Sequence, residues 1–93
     1  MSRRARIQFT LRITNDTPRH RTVVLEPWTG EYRLAPGVPL DLLVEGTPST
    51  PLSIEIEEDR VIVTSFDTTD AMLTAFRDGR ELRSEHALPE QPG

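Results

Sequence analysis

The chain has 93 residues, enough for one domain and too few for two, with 35% hydrophobic residues and a net charge of −4. The absence of cysteine rules out disulfides, thiolate zinc sites and a cysteine nucleophile. The acidic balance argues against nucleic acid as a partner, and no apolar run approaches the ~20 residues of a membrane helix.

The start, Met1-Ser2-Arg3-Arg4-Ala5-Arg6, is basic, but alternating rather than continuously apolar sequence follows, so no signal peptide is read there. Small secreted domains usually carry disulfide staples, so the lack of Cys predicts a reducing compartment and a cytoplasmic protein. A chain this short buries roughly 60–65% of the surface its unfolded form exposes. Its stability is expected to be on the order of 5 kcal/mol. Residues 1–33 hold seven Arg against Asp16, Glu26 and Glu31, whereas residues 34–93 hold four Arg against twelve acids. Two blocks of opposite sign support head-to-tail self-association.

Ile7, Phe9, Leu11 and Ile13 alternate with Gln8, Thr10, Arg12 and Thr14. This period of two predicts a strand with one apolar face, as in an antiparallel sheet covered on one side. Asn15-Asp16-Thr17-Pro18 is a turn or loop. Arg21 to Glu26 is rich in β-branched residues and reads as a second strand, with Val23 and Leu25 toward the core. Pro27 ends that ladder, Trp28 stands at the corner, and Glu31 to Leu34 reads as a third strand with Tyr32 and Leu34 on one face.

Ala35-Pro36-Gly37 predicts a tight turn, with Pro at its second position and Gly supplying positive φ. The next strand sets Val38, Leu40, Leu42 and Val44 on one face, opposite Pro39, Asp41 and Glu45. Pro39 marks an edge or a strand start. Residues 46–51 form a loop, and Leu52, Ile54 and Ile56 then alternate with Ser53, Glu55 and Glu57. Glu58-Asp59 turns the chain into Arg60 to Phe66, giving a hairpin. Residues 71–77 admit either a strand or two turns of helix. Asp78-Gly79 between Arg77 and Arg80 is a two-residue hairpin signal and favours the strand. Ser84 to Gly93 is polar with two prolines and reads as a disordered tail.

These elements predict an all-β fold, a small antiparallel β-sandwich of about seven strands over residues 1–83, with residues 84–93 as the tail. It is immunoglobulin-like or cupredoxin-like in size. A blue-copper site needs a Cys beside two His. His20, His86, Met1 and Met72 do not supply one, so no metal site and no cofactor are assigned. Ser84-Glu85-His86 has the residue types of a relay, but three consecutive residues cannot arrange themselves as one. No catalytic residue is assigned, and an enzyme is not expected.

Glu55, Glu57, Glu58 and Asp59 read as a solvated acidic face that discourages edge-to-edge strand pairing. Arg3, Arg4 and Arg6 form a basic arm, joined by Arg12, Arg19 and Arg21 if the first two strands pair. No aromatic residues are interleaved with them to stack bases. Trp28 has two readings. It caps one end of the core, or it anchors a partner together with Glu31 and Tyr32, since Trp and Tyr are enriched at interface hot spots.

The run Leu25-Glu26-Pro27-Trp28, then Glu31-Tyr32, Leu34 and Pro36-Gly37, resembles a group of small bacterial proteins. That group shares a Leu-Glu-Pro-Trp signature followed by a Pro-Gly turn. Some of its members end in a Phe-x-Asp-Gly-x-Glu-Leu hairpin like Phe76 to Leu82 here, and the likeness covers roughly residues 9–83. Thr29 departs from the glycine that often follows the Trp. The resemblance implies an all-β fold and a terminal hairpin, and it brings no activity.

The expected function is a non-enzymatic protein-interaction module or a subunit of a larger assembly, bound to another protein or to a second copy. Its expected partner-binding residues are Trp28, Glu31 and Tyr32. The alternative is a small-ligand or carbohydrate-binding β-sandwich that uses the Trp28 corner. An exposed patch with Leu43 and Val24 on the outer faces would favour a permanent subunit. Phe9→Ala is expected to cost roughly 3–5 kcal/mol as a core truncation, and Arg12→Ala to change little.

Overall fold

The computed structural model describes residues 5–28 and 30–83. Arg3, Arg4, the Ser84-Glu85-His86 run and the expected tail at 84–93 lie outside the described residues. Every regular element among the described residues is a strand: β1 (Ile7–Thr14), β2 (Arg21–Glu26), β3 (Gly30–Leu34), β4 (Pro39–Gly46), β5 (Ser53–Ile56), β6 (Arg60–Thr64), β7 (Met72–Arg77) and β8 (Arg80–Glu81). They form two four-stranded sheets, ordered β1-β4-β7-β8 and β3-β2-β6-β5. The chain lays one strand in the first sheet and a hairpin in the second. It then repeats that pattern and closes with the β7–β8 hairpin in the first sheet.

Five of the strand pairs are antiparallel. β2 and β6 run parallel, with Val23 opposite Val61 and Leu25 opposite Val63. This departs from the wholly antiparallel sandwich expected from the sequence. The two strands belong to separate hairpins, so no short turn between them dictates an antiparallel pairing.

The alternation in each strand explains how the layers meet. Leu40, Leu42 and Val44 on β4 are fully buried, while the residues between them are only half-buried. Leu40, Leu42 and Ala75 of the first sheet share one core with Val23, Leu25, Tyr32, Leu34, Val61 and Val63 of the second. Leu11, Ile13, Val38, Leu52, Leu73 and Leu82 pack around it. Val24, on an outer face, is only 6% exposed, and Leu43 is half-buried, so these two make no exposed outer patch.

Both predicted tight turns form. Val38 N donates to Ala35 O at 3.1 Å with Gly37 at φ 81°, the geometry of a type II turn. Asp78 and Gly79 both have positive φ, 53° and 78°, as a type I′ hairpin turn demands.

Asn15 joins these local pieces at one end of the sandwich, although only 3% of its surface is exposed. Its Nδ2 donates to Arg19 O at 2.7 Å and to Leu34 O at 3.0 Å. Its Oδ1 accepts from Thr17 N at 3.1 Å and from Thr17 Oγ1 at 2.6 Å. Its backbone N donates to Val38 O, and its backbone O accepts from Gly37 N. One residue thus ties the end of β1 to the loop before β2 and the end of β3 through its side chain, and to the turn into β4 through its backbone.

At the other end, Gly46 has φ 144°, and a Cβ there would lie 2.9 Å from Ala71 Cα. Only glycine fits where the chain entering β7 crosses the end of β4.

Two expectations for the first strand change. β1 pairs with β4 and not with β2, so Arg12 is not brought beside Arg19 and Arg21. It instead grips Asp41 directly across the ladder, at 2.7 Å and 3.0 Å. This exposed pair lowers the carboxyl pKa of Asp41 and raises that of the guanidinium. Second, Ile7 and Phe9 lie on the inner face as the alternation requires, yet they are 37% and 39% exposed. β1 is an edge strand and its first half overhangs the core, so Phe9 is not the core truncation site the pattern suggested.

In dilute solution, urea unfolding of Leu42→Ala should therefore show a loss of about 2–5 kcal/mol, and Phe9→Ala only about 1 kcal/mol. Asn15→Ala strands several buried backbone groups and should cost about 2–3 kcal/mol. An Asn15→Ala chain as stable as wild type would show that the junction contributes nothing.

Candidate functional site

The Trp28 corner forms one wall of a cleft. The Glu26–Pro27 peptide is cis, and Trp28 follows it at the lip, 47% exposed. Tyr32 on β3 lies opposite Val23, points inward and is 8% exposed. The opposite wall comes from the other sheet: Met72, Leu73, Thr74 and Ala75 of β7, with Glu81 of β8 and Leu82 just after it. Leu82 is drawn in by its amide, which donates to Ala75 O at 2.8 Å. The cleft encloses about 240 Å³. Met72, opposite Glu45 on β4, turns its side chain to the outer face of the first sheet, 52% exposed.

Of the three residues the sequence nominated, Trp28 and Tyr32 come together here. Glu31 does not. It neighbours Tyr32 on the same strand, so alternation sends it to the outer face, where it sits opposite Val24. Its charge there adds to the field that holds the Arg60 guanidinium protonated, behind the closer Glu57. Burial of the Tyr32 phenol pushes its pKa up, and the nearby Glu81 carboxylate pushes it further. Among the described residues, Glu81 is the one charged side chain of the cleft lining.

The second wall was not visible from the sequence. The β7–β8 hairpin was legible from Asp78-Gly79, but which edge it would face is a property of sheet stacking.

A second, larger cleft of about 510 Å³ lies at the Asn15 end, lined by Thr17, Pro18, Arg19, His20, Arg21, Glu58 and Asp59. The Arg21 guanidinium is committed there: it donates to the backbone oxygens of Glu57 and Arg60 and so caps the β5–β6 turn. Arg60 pairs with Glu57 at 2.7 Å.

The two charge blocks of the sequence are thus interleaved in space. Arg6 reaches Glu45 at 3.6 Å and Asp70 at 3.7 Å, and Arg12 holds Asp41. Among the described residues no group of three or more His, Cys, Asp or Glu is placed to hold a metal ion, and no helix is long and apolar enough to cross a membrane.

Compared with protein-family models, with curated proteins and with solved structures, the chain matches none.

The raised pKa of Tyr32 has a consequence for stability. The folded state keeps a phenolic proton that the unfolded chain releases near the ordinary value of about 10. The stabilisation is therefore full below that pH and is lost as pH rises through the folded value. Melting temperatures between pH 8 and 11 should fall at the alkaline end, and Tyr32→Phe should flatten that fall. Identical profiles for the two chains would remove Tyr32 from the account.

Proposed function

We propose that this chain is a non-enzymatic protein-binding module and that the Trp28 cleft is its contact surface. Trp28 carries the assignment: a large apolar side chain, 47% exposed, stands on the rim of a cleft floored by buried Tyr32 and Ala75. Trp is among the residues most enriched at binding hot spots. The cleft's volume, about 240 Å³, falls below the ~300–1,000 Å³ of small-molecule sites. It suits one inserted side chain. Glu81 sets the remaining requirement, so the partner segment carries an apolar anchor with a basic residue beside it.

Protein is favoured over nucleic acid by the net charge of −4. The lack of cysteine supports a reducing, cytoplasmic setting, and the Leu-Glu-Pro-Trp resemblance supports a bacterial one. Carbohydrate or small-ligand binding is the second reading, favoured by the exposed face of Trp28. The burial of Tyr32 leaves no second aromatic platform beside it.

A photo-reactive residue at position 28, introduced in the native host, should give a discrete adduct with one other protein. The same residue at the outward-facing Arg33 should give none. With that partner in hand, Trp28→Ala should weaken the complex by about 2 kcal/mol, roughly thirtyfold in Kd, without lowering the melting temperature. Equal labelling from positions 28 and 33 would overturn the assignment. A Trp28 fluorescence change with a sugar, and no protein adduct, would favour the second reading.

A further inference from the structure

We infer that the side of the sandwich opposite the Trp28 cleft, between β1 and β5, is the interface of a two-fold dimer of this chain. The cleft spans β3 to β7 and β8, and the end of β4 at Gly46 lies against Phe66, just beyond β6. The sheets are therefore stacked with β3 over β8 and with β5 over β1, the remaining two edges.

Ile7 and Phe9 on β1 sit opposite Gly46 and Val44. Val44 is fully buried, so the side chain of Phe9 points into the sandwich, and that of Ile7 two residues away does the same. Ile54 and Ile56 on β5 sit opposite Val63 and Val61, both core residues, so they point inward as well. All four are nevertheless exposed, at 37%, 39%, 45% and 74%. The β3–β8 side differs: Tyr32 and Leu34 are 8% and 1% exposed, and Leu82 packs against the core. Among the described residues the sandwich is closed on one side and open on the other, and both sheets are open together.

The occupant has to meet both edges at once. A single added strand completes one sheet and leaves the other edge bare. A second copy presents the same two edges at the same spacing, about 10 Å apart. A two-fold axis perpendicular to the sheets lays β1 antiparallel to β1 and β5 antiparallel to β5, and keeps every inner face inside.

Centred on Thr10 and Ile54, that axis sets Phe9 of one copy opposite Leu11 of the other and Ile7 opposite Ile13. On the second sheet it sets Ile54 opposite Ile54 and Ile56 opposite Leu52. On the outer faces Gln8 meets Arg12, Glu55 meets Ser53 and Glu57 meets Pro51. No like charges face each other directly, so the acids around β5 do not forbid this register. The eight residues of β1 are about 26 Å long, and the side is about 20 Å thick, on the order of 500 Å² in projection. With the relief of its exposed side chains, that approaches the ~800 Å² per partner of a standard interface.

The full chain should sediment at twice its 10.5 kDa when concentrated and at its monomer mass when dilute. Ile56→Lys places a charge at a site already in water in the monomer, so its fold and melting behaviour in dilute solution should be unchanged. It should raise the dimer Kd at least tenfold, and Phe9→Glu should do the same. Because the chain has no cysteine, Ile54→Cys gives a single thiol on the axis, which should oxidise to a covalent dimer. Trp28→Ala should leave the dimer intact. A monomer at every concentration, masses growing beyond two copies, a dimer insensitive to Ile56→Lys and Phe9→Glu, or a dimer abolished by Trp28→Ala would each overturn the inference. The last result would move self-association to the cleft.

Discussion

The shared core of Leu40 and Leu42 on β4 with Val23, Leu25, Val61 and Val63 on β2 and β6 is the contact on which the rest of the molecule depends. Each of these side chains contributes about 1.5–3 kcal/mol by leaving water, and a chain with 35% hydrophobic residues has few to spend. The core is therefore narrow. It fills the middle of the sandwich and reaches the β3–β8 side through Tyr32, Leu34 and Leu82, while on the β1–β5 side it takes in Leu11, Ile13 and Leu52 and leaves Ile7, Phe9, Ile54 and Ile56 uncovered. The closed side with its shallow Trp28 cleft and the open side with four exposed inner residues follow from that one distribution of apolar mass.

The polar counterpart of the core is Asn15. The chain passes from one sheet to the other only through loops at the ends of the sandwich, and backbone groups there have no ladder to join. Asn15 supplies partners to the loop before β2, to Leu34 O and to the β3–β4 turn at once. At the other end Asp70 takes a comparable part: its carboxylate accepts from Thr47 Oγ1 at 2.7 Å and Thr47 N at 3.2 Å, which holds its pKa down. The sheets are thus fixed by apolar contact in the middle, and the loops at both ends are held by side-chain hydrogen bonds.

What was legible in the sequence is what is encoded locally. The alternation in β1, β4 and β5, the Ala35-Pro36-Gly37 turn and the Asp78-Gly79 hairpin each depend on neighbouring residues, and each forms as read. Asn15 was legible as a turn residue but not as a junction, because its partners lie up to 23 positions away. Phe9 shows the limit of alternation: a period of two says which face a side chain is on, and only the stacking of sheets says whether anything covers it. The parallel β2–β6 pair, the separation of Arg12 from Arg21 and the second wall of the cleft are all choices of distant partner. Glu31 and Tyr32 could have been split by alternation alone, since adjacent strand residues never share a face.

The central claim is that the sandwich has one closed and one open side, and that the open side is where it meets its own kind. Residue-resolved amide hydrogen exchange at two protein concentrations tests it most directly. In dilute solution the slowest amides should lie in β2, β4 and β6, with β1 and β5 exchanging far faster. At high concentration β1 and β5 should slow while the Trp28 corner does not change. Amides of β1 and β5 as slow as those of β4 in dilute solution, or rates that ignore concentration, would contradict it.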